Sequence, residues 1–305
     1  MIARVALRLG RDLLLIPLSA FLIYQAVRVL PLPSPDIKSG NAESLPAVVR
    51  MKAELGVGRG LAGFTVPWRI LWDGDRLGED PLRYDARDIG RALAGSLRIG
   101  GMALGLALAL ACAFALARAS RLPGAIDQAL DVVPTLIYGT PSFLLALLVA
   151  SFTGMATDGT RGEYEVIAAA VVSVSPGIFL GVLLTDALRL ERDKAYMTAA
   201  RARGRSRIGA LVVHALPNAL PTLLDALPPV ATALLAGSFV AEKLFHVTYF
   251  GYVYVEWASS MQLAPVVVAT TLFVALLILV SLAAELLRWA IDPRQRGADA
   301  AGAGA

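Results

Sequence analysis

Long apolar stretches and short polar ones alternate along this chain. Six apolar stretches can be marked, at about 13–30, 99–117, 130–152, 166–186, 220–240 and 265–287, each of 18 to 23 residues. At about 1.5 Å of rise per helical residue, such a stretch crosses a hydrocarbon layer about 30 Å thick, the shortest only marginally. The layer offers no hydrogen-bond partner to the backbone, so each stretch is predicted to be a helix. The expected fold class is therefore all-α, a polytopic membrane protein with six transmembrane helices. Proline and glycine recur inside the stretches: Pro134, Gly139 and Pro141, then Pro176 and Gly177, then Pro228 and Pro229. In a membrane helix these mark bends along a pathway or close packing between helices, and the pattern alone leaves both readings open.

Composition agrees with the pattern. Of the 305 residues 57% are hydrophobic and 17% charged, and the mean hydropathy is +0.65, whereas soluble domains run near half apolar and a quarter charged. The net charge of +4 and pI of about 9.4 reflect where the basic residues lie. Arg4, Arg8 and Arg11 precede the first stretch, Arg118 and Arg121 follow the second, seven Lys and Arg fall between Arg189 and Arg207, and Arg288, Arg294 and Arg296 close the chain. The short loops on the other side carry Arg161 and Lys243. The excess of positive charge marks the cytoplasmic side and places both termini there. The long segment 31–98, with nine carboxylates, is long enough to escape that rule. The basic charge has no interleaved aromatic residues, so nucleic acid is not an expected partner. The first apolar run exceeds a signal-peptide core and shows no small-x-small site near Pro31, so it is expected to stay attached as an anchor. The expected organisation is 1–30 (N-terminus and first helix), 31–94 (outer segment), 95–290 (a five-helix core holding a cytoplasmic loop at about 189–221) and 291–305 (cytoplasmic tail).

Candidate chemistry is sparse. Cys112 is the single cysteine and lies in an apolar run, as a small buried hydrophobe does. His214 and His246 lie in different loops without metal-ligand spacing. The cluster Gly56-Val57-Gly58-Arg59-Gly60 is no phosphate-binding loop, so this chain is expected to bind no cofactor and no metal. Gly237-Ser238 with His246 lacks a third group and a flanking motif, which argues against an intramembrane hydrolase. Tyr138, Thr140, Ser142, Ser173 and Ser175 are the polar side chains nearest the centres of their stretches, where they line a path or hydrogen-bond between helices.

The loop from Arg189 to Ala219 carries more information. Glu191 to Arg203 is rich in helix formers, and Gly204 can stop that helix in a left-handed cap. Ile208 to Ala215 can form a second short helix, stopped by Leu216-Pro217. Ala199, Ala200 and Gly204 present almost no side chain, so another protein's surface can approach the backbone closely. Arg201, Arg203, Arg205 and Arg207 either reach acidic groups on such a partner or simply enforce the topology.

Thr198-Ala199-Ala200, then Gly204, then His214-Ala215-Leu216-Pro217 resembles in its spacing the EAA loop of ABC importer permeases. The wider run Tyr196 to Gly204 with His214 to Pro221 is similar to the dipeptide/oligopeptide/nickel branch. Arg28-Val29-Leu30-Pro31, Glu242-Lys243-Leu244-Phe245 with Tyr249-Phe250-Gly251, and Ile291-Asp292-Pro293-Arg294 resemble that branch in the same order along the chain. Thr198 stands where the general motif has Glu, and His214 where it has Ile. Thr248-Tyr249-Phe250-Gly251 replaces a Pro-Gly-Leu-Gly turn, and Arg76 is an addition within Gly74 to Gly78.

The resemblance implies a type I ABC importer permease fold in a bacterial cytoplasmic (inner) membrane. It implies a second homologous permease, two cytoplasmic ABC ATPases that bind ATP and Mg, an extracytoplasmic substrate-binding protein, and peptides or a related small solute as cargo. On that resemblance the ATPase-coupling residues are Tyr196, Thr198, Ala199, Ala200, Arg203, Gly204, Leu216 and Pro217. The competing reading from the residues is a gradient-driven secondary transporter or channel. Such proteins place ionisable groups mid-membrane, and here Asp225 and Glu285 are expected near the ends of their spans.

Overall fold

Backbone that must enter an apolar layer has to satisfy its own hydrogen bonds, and the apolar stretches do so as helices. The structure, a computed structural model, describes residues 2–29, 49, 53, 55–56, 59–77, 83–120, 124–138, 140, 142–152, 161–260 and 262–291. Helix α1 is Ile2–Val29. A 3-10 turn, Gly60–Thr65, leads into α2, Val66–Trp72. Then come α3 (Ala86–Ala119), α4 (Gly124–Tyr138), α5 (Ser142–Phe152), α6 (Arg161–Arg192) and the short α7 (Ala195–Ala202). Helix α8 runs Arg207–Leu244 and contains a π-helical turn, Leu211–Ala215. Helices α9 (Phe250–Ser259) and α10 (Leu263–Ile291) complete the order.

Among the described residues, four helices are long and apolar enough to cross a membrane: α3, α6 from Gly162, α8, and α10 as far as Leu287. Helix α1 has a shorter apolar part, Leu14–Ala26. The third predicted span is two helices rather than one, α4 and α5. Between them the sequence carries Gly139 and Pro141, the residue types least suited to a helix interior. Thr140 ends α4, its N–H donating to the Ile137 carbonyl at 3.1 Å and its hydroxyl to the Leu136 carbonyl at 2.8 Å. Pro31, Pro33, Pro35, Val57 and Gly58 of the glycine cluster, and the Asp292-Pro293-Arg294 ending lie outside the described residues.

The chain divides into two compact units, residues 1–95 with 248–279 and residues 96–247 with 280–305. In the first, Tyr24 of α1 is buried with Leu55, Leu263, Ala264 and Val267, and Ile23 and Phe64 pack against them. The Tyr24 and Phe64 rings meet edge to face at 5.7 Å. Leu77 and Tyr84 exchange two backbone hydrogen bonds of 2.9 Å, and Tyr84 meets Trp257 of α9 edge to face at 5.5 Å. Asp85 caps α3 by accepting from the Asp88 N–H at 2.8 Å. That bond holds its carboxyl below the usual carboxylate value. The cap thus stabilises α3 above the ordinary carboxylate value and is lost as pH falls through the lowered one.

In the second unit α6 packs against α4, α5 and α8. Ile99, Ala103, Ala107, Ala111 and Ala115 of α3 are wholly buried at four-residue spacing, one face of a helix. Their small side chains let α6 come close. A methyl group on Gly177 would stand 3.1 Å from the Ala107 carbonyl oxygen and 2.9 Å from Leu110 Cδ2. Helix α6 answers with Leu180, Leu184 and Leu188, and α8 with Leu223, Leu227, Ala231 and Leu235. The buried hydroxyls of Ser173, Thr185 and Ser238 each bond back to a carbonyl of their own helix, at 2.7, 2.7 and 2.8 Å. Arg98 of α3 reaches the buried Glu165 of α6 at 3.4 Å, and Arg118 pairs with Asp131.

Gly177→Val should lower stability by about 1–3 kcal/mol, because the Ala107 backbone lies in the way behind the Leu110 side chain and cannot move aside as a side chain can. Gly101→Val, where nothing stands within 4 Å, should leave it nearly unchanged. Thermal unfolding of both variants in one detergent checks this, and equal midpoints would contradict the close approach.

Candidate functional site

The polar return from α6 to α8 is built from few residues, each with a definite partner. Helix α6 ends with Arg189 and Arg192 in its last turn, where positive charge faces the unpaired carbonyls. Lys194 is extended (φ −78°, ψ 150°) and opens α7. On α7 Met197 and Ala200 are 2% and 6% exposed, three residues apart and so on one face. Thr198, Ala199, Arg201 and Ala202 are exposed on the other. An eight-residue helix is too short to stand alone in water, and this one is held by its buried face and by Glu191.

Glu191, at the end of α6, has both carboxylate oxygens engaged. One accepts from Lys194 Nζ at 2.6 Å and the other from the Tyr196 hydroxyl at 2.5 Å. Burial, the bond to Glu191 and the negative charge of Glu191 push the Tyr196 phenol up to about 12, and a hydrogen bond with Asn218 of α8 pulls the other way. Tyr196 therefore ties α7 to the end of one long helix and the beginning of the next.

Helix α7 ends in a Schellman motif. The Arg205 N–H donates to the Ala200 carbonyl at 3.3 Å, and the Gly204 N–H to the Arg201 carbonyl at 3.0 Å. Gly204 holds φ +81°, a conformation that costs a side-chain-bearing residue about 1–2 kcal/mol. Two residues on, Ser206 caps α8 by accepting from the Gly209 N–H at 3.1 Å. Turn and cap together fix the angle between the helices.

The sequence led us to expect the second helix to stop at Leu216-Pro217, but it continues. Leu216 donates its N–H to Leu211 across the wider π-helical turn, and Pro217 lies in the first turn beyond it. The wide turn accommodates the proline, which has no N–H and crowds a carbonyl in an ordinary helix. The Asn218 side chain donates to the His214 carbonyl at 2.8 Å in the same region. The loop thus runs without a break into a membrane-length helix.

The expected site residues separate as follows. Thr198, Ala199, Arg203, Gly204 and Pro217 are exposed, Tyr196 and Leu216 are half-buried, and Ala200 points into the protein. Of the expected path residues, Ser173 is buried and bonded to its own helix, Ser175 and Thr140 are half-buried, and the side chains of Tyr138 and Ser142 lie outside the described residues. Asp225 is not near a helix end. It lies midway along α8, because α8 begins well before the expected start of the span. Ser238 is fully buried with its hydroxyl committed to Leu235, which leaves no nucleophile open to a substrate there. Sequence reasoning missed Met197, the Glu191 clamp, Ser206 and the π-helical turn. Of these, the Met197–Ala200 spacing and a serine directly before a helical run were the available signals.

Long apolar helices, a packed small-residue core and a short polar helix docked between two of them define a polytopic helical protein of membrane-spanning character. Residues 101–297 match the family described as binding-protein-dependent transport system inner membrane component. The match covers more than half the chain, and the chain belongs to that family. Curated relatives include the dipeptide transport system permease DppB of Lactococcus lactis, 27% identical over 68% of this chain and 71% of that one. The protein of the same name in Bacillus subtilis is 30% identical over 58% and 59%. That of Escherichia coli K12 is 32% identical over 40% and 39%. Among solved structures an inward-facing MetNI methionine ABC transporter matches with a TM-score of 0.52 at 18% identity, over 68% of this chain and 95% of that one. The expected fold class and the expected importer-permease family are both borne out.

Tyr196→Phe should remove a step near pH 12 from the tyrosine absorbance titration. Because the folded phenol is raised, its anchoring is complete below the ordinary value of about 10 and is lost as pH rises toward about 12. If the variant and the parent differ only near pH 10, Tyr196 is not clamped as described.

Proposed function

We propose that this chain is one of two permease subunits of an ATP-driven importer of peptides, with α7 as the helix that couples it to a cytoplasmic ATPase. One observation carries the reading: α7 is fixed on its inner face by Met197, Ala200 and the Glu191–Tyr196 clamp, while its outer face offers the small side chains of Thr198, Ala199 and Ala202 beside the single large one of Arg201. A groove on a partner can seat such a helix at close range. ATP and Mg on the partner supply the work, and this chain transmits displacement. A firmly clamped helix that runs through Gly204 and Ser206 into α8 passes a push along the membrane span, which a loose loop would absorb.

The coupling residues are then Tyr196, Thr198, Ala199, Ala200, Arg203, Gly204, Leu216 and Pro217, with Met197 and Glu191 added as anchors. On this reading both termini and α7 are cytoplasmic, the membrane is the bacterial inner membrane, and residues 31–94 face outward. The remaining partners are a second permease, two ATPases and an extracytoplasmic binding protein. Peptide as cargo follows the curated relatives. The gradient-driven rival gains one observation, a carboxylate midway along a membrane-length helix, so the test includes it.

Ala199→Trp adds bulk to the exposed face and displaces nothing within the chain. It should reduce ATP-dependent peptide uptake at least about tenfold and strip the ATPase from the purified complex, with the amount of chain in the membrane unchanged. Gly204→Val should do the same through the backbone. Wild-type uptake by Ala199→Trp would sink the coupling assignment. Uptake that survives ATP depletion and stops when the proton gradient collapses would favour the rival.

A further inference from the structure

A charge inside a membrane-crossing helix is costly unless it faces water or a partner, which makes its position informative. Three long helices of this chain keep uncharged runs of membrane length, at 99–117, 166–185 and 263–284. Helix α8 does not. Between Arg207 and Glu242 its single Asp, Glu, Lys or Arg is Asp225, 18 residues from the first and 17 from the second. A hydrocarbon layer takes about twenty helical residues. Any run of that length placed between these two flanking charges contains Asp225, so sliding the helix does not lift it out.

Asp225 also faces away from the packed side of α8. The buried stripe is Leu223, Leu227, Val230, Leu234 and their neighbours. Asp225 is exposed in line with Asn218, Thr222, Pro229, Ala233 and Ala236, at spacings of three and four residues. That line is polar toward the α7 end and small-sided from Pro229 to Ala236, with the exposed Val240 beyond it, where a lipid-facing surface would carry large apolar residues along its whole length. Exposed large residues do occur elsewhere in the chain, as at Leu14, Leu18 and Leu22 of α1.

We infer that this line of α8 borders the water-filled path taken by the cargo, and that Asp225 favours cargo presenting a positively charged amine or guanidinium there. The inference deepens the importer reading and rests on it. No covalent step is involved: the exposed carboxylate attracts the cationic group as the cargo passes.

Two measurements test it. The first needs no transport. With Cys112→Ser as background, which removes the only cysteine, Asp225→Cys is exposed to a membrane-impermeant cationic thiol reagent in vesicles of both orientations. Rapid labelling from one side is expected. Absence of labelling from both sides puts position 225 in lipid or in a protein interface and overturns the proposal.

The second uses the complete importer and three tripeptides of similar size, Ala-Lys-Ala, Ala-Gln-Ala and Ala-Glu-Ala. Uptake by each variant is divided by wild-type uptake of the same peptide, so that selectivity of the binding protein cancels. Asp225→Asn should lower Ala-Lys-Ala uptake about tenfold relative to Ala-Glu-Ala, and Asp225→Glu should restore the preference. An equal change for all three peptides overturns the charge preference. A wild-type importer that moves none of them with ATP overturns the peptide-importer reading instead, while the labelling result still reports whether Asp225 meets water.

Discussion

An apolar layer that neither hydrogen-bonds a backbone nor solvates a charge is the constraint from which the rest of this structure follows. It makes helix the only open-chain way across, and it pushes ionised side chains to the ends of the runs. It also weakens the force that assembles soluble cores, since a leucine gains little by leaving lipid for another leucine. Close packing has to substitute. The wholly buried alanines of α3 and the glycine of α6 at 177 fit that requirement, because they bring two backbones within van der Waals reach and multiply contacts.

The same constraint explains why the α6–α8 return is so heavily bonded. Outside the layer, water competes for every polar group, and an eight-residue helix has too few internal bonds to persist. Here a buried methionine and alanine provide the apolar seat, a single carboxylate satisfies two donors, and backbone motifs close both ends of the turn. Each device is modest alone. Together they leave α7 one position relative to α6 and α8, which is what the proposed coupling role requires.

Much of this was legible in the sequence, because the dominant signals are local. Apolar runs of membrane length identify themselves, and a glycine after a helix-forming run announces a left-handed cap, which Gly204 is. The motif spacing that resembles importer permeases survived because it is a matter of residue order. What stayed hidden depends on cooperation between distant groups or on small changes of helical pitch. Pro217 reads as a stop, but one π-helical turn absorbs it, and the start of α8 moves back to Arg207. That shift carried Asp225 from an expected span end to the middle of its helix. Ser173 looked available for a pathway, yet a buried serine often answers its own helix's carbonyl, and this one does. The Glu191–Tyr196 clamp bridges the end of one helix and the next, and no periodicity encodes it.

Helix α8 joins these features into one element. At its start stand the Ser206 cap and the π-helical turn, at its middle Asp225, and at its far end a second Schellman motif. There the Val247 N–H donates to the Glu242 carbonyl at 2.9 Å and the His246 N–H to the Lys243 carbonyl at 3.4 Å. The left-handed position belongs to His246, at φ +52°, where glycine would be unstrained and a side chain costs about 1–2 kcal/mol. Glu242 and Val247 are both buried beside it, at 0% and 2% exposure, so packing holds the motif against that cost. A helix whose two ends are both fixed by backbone geometry does not fray. On the proposed coupling role a displacement imposed at α7 enters α8 through its capped start, and Pro221, Pro228 and Pro229, which interrupt its hydrogen-bond ladder, decide how much of it reaches Asp225 and the turn at the far end.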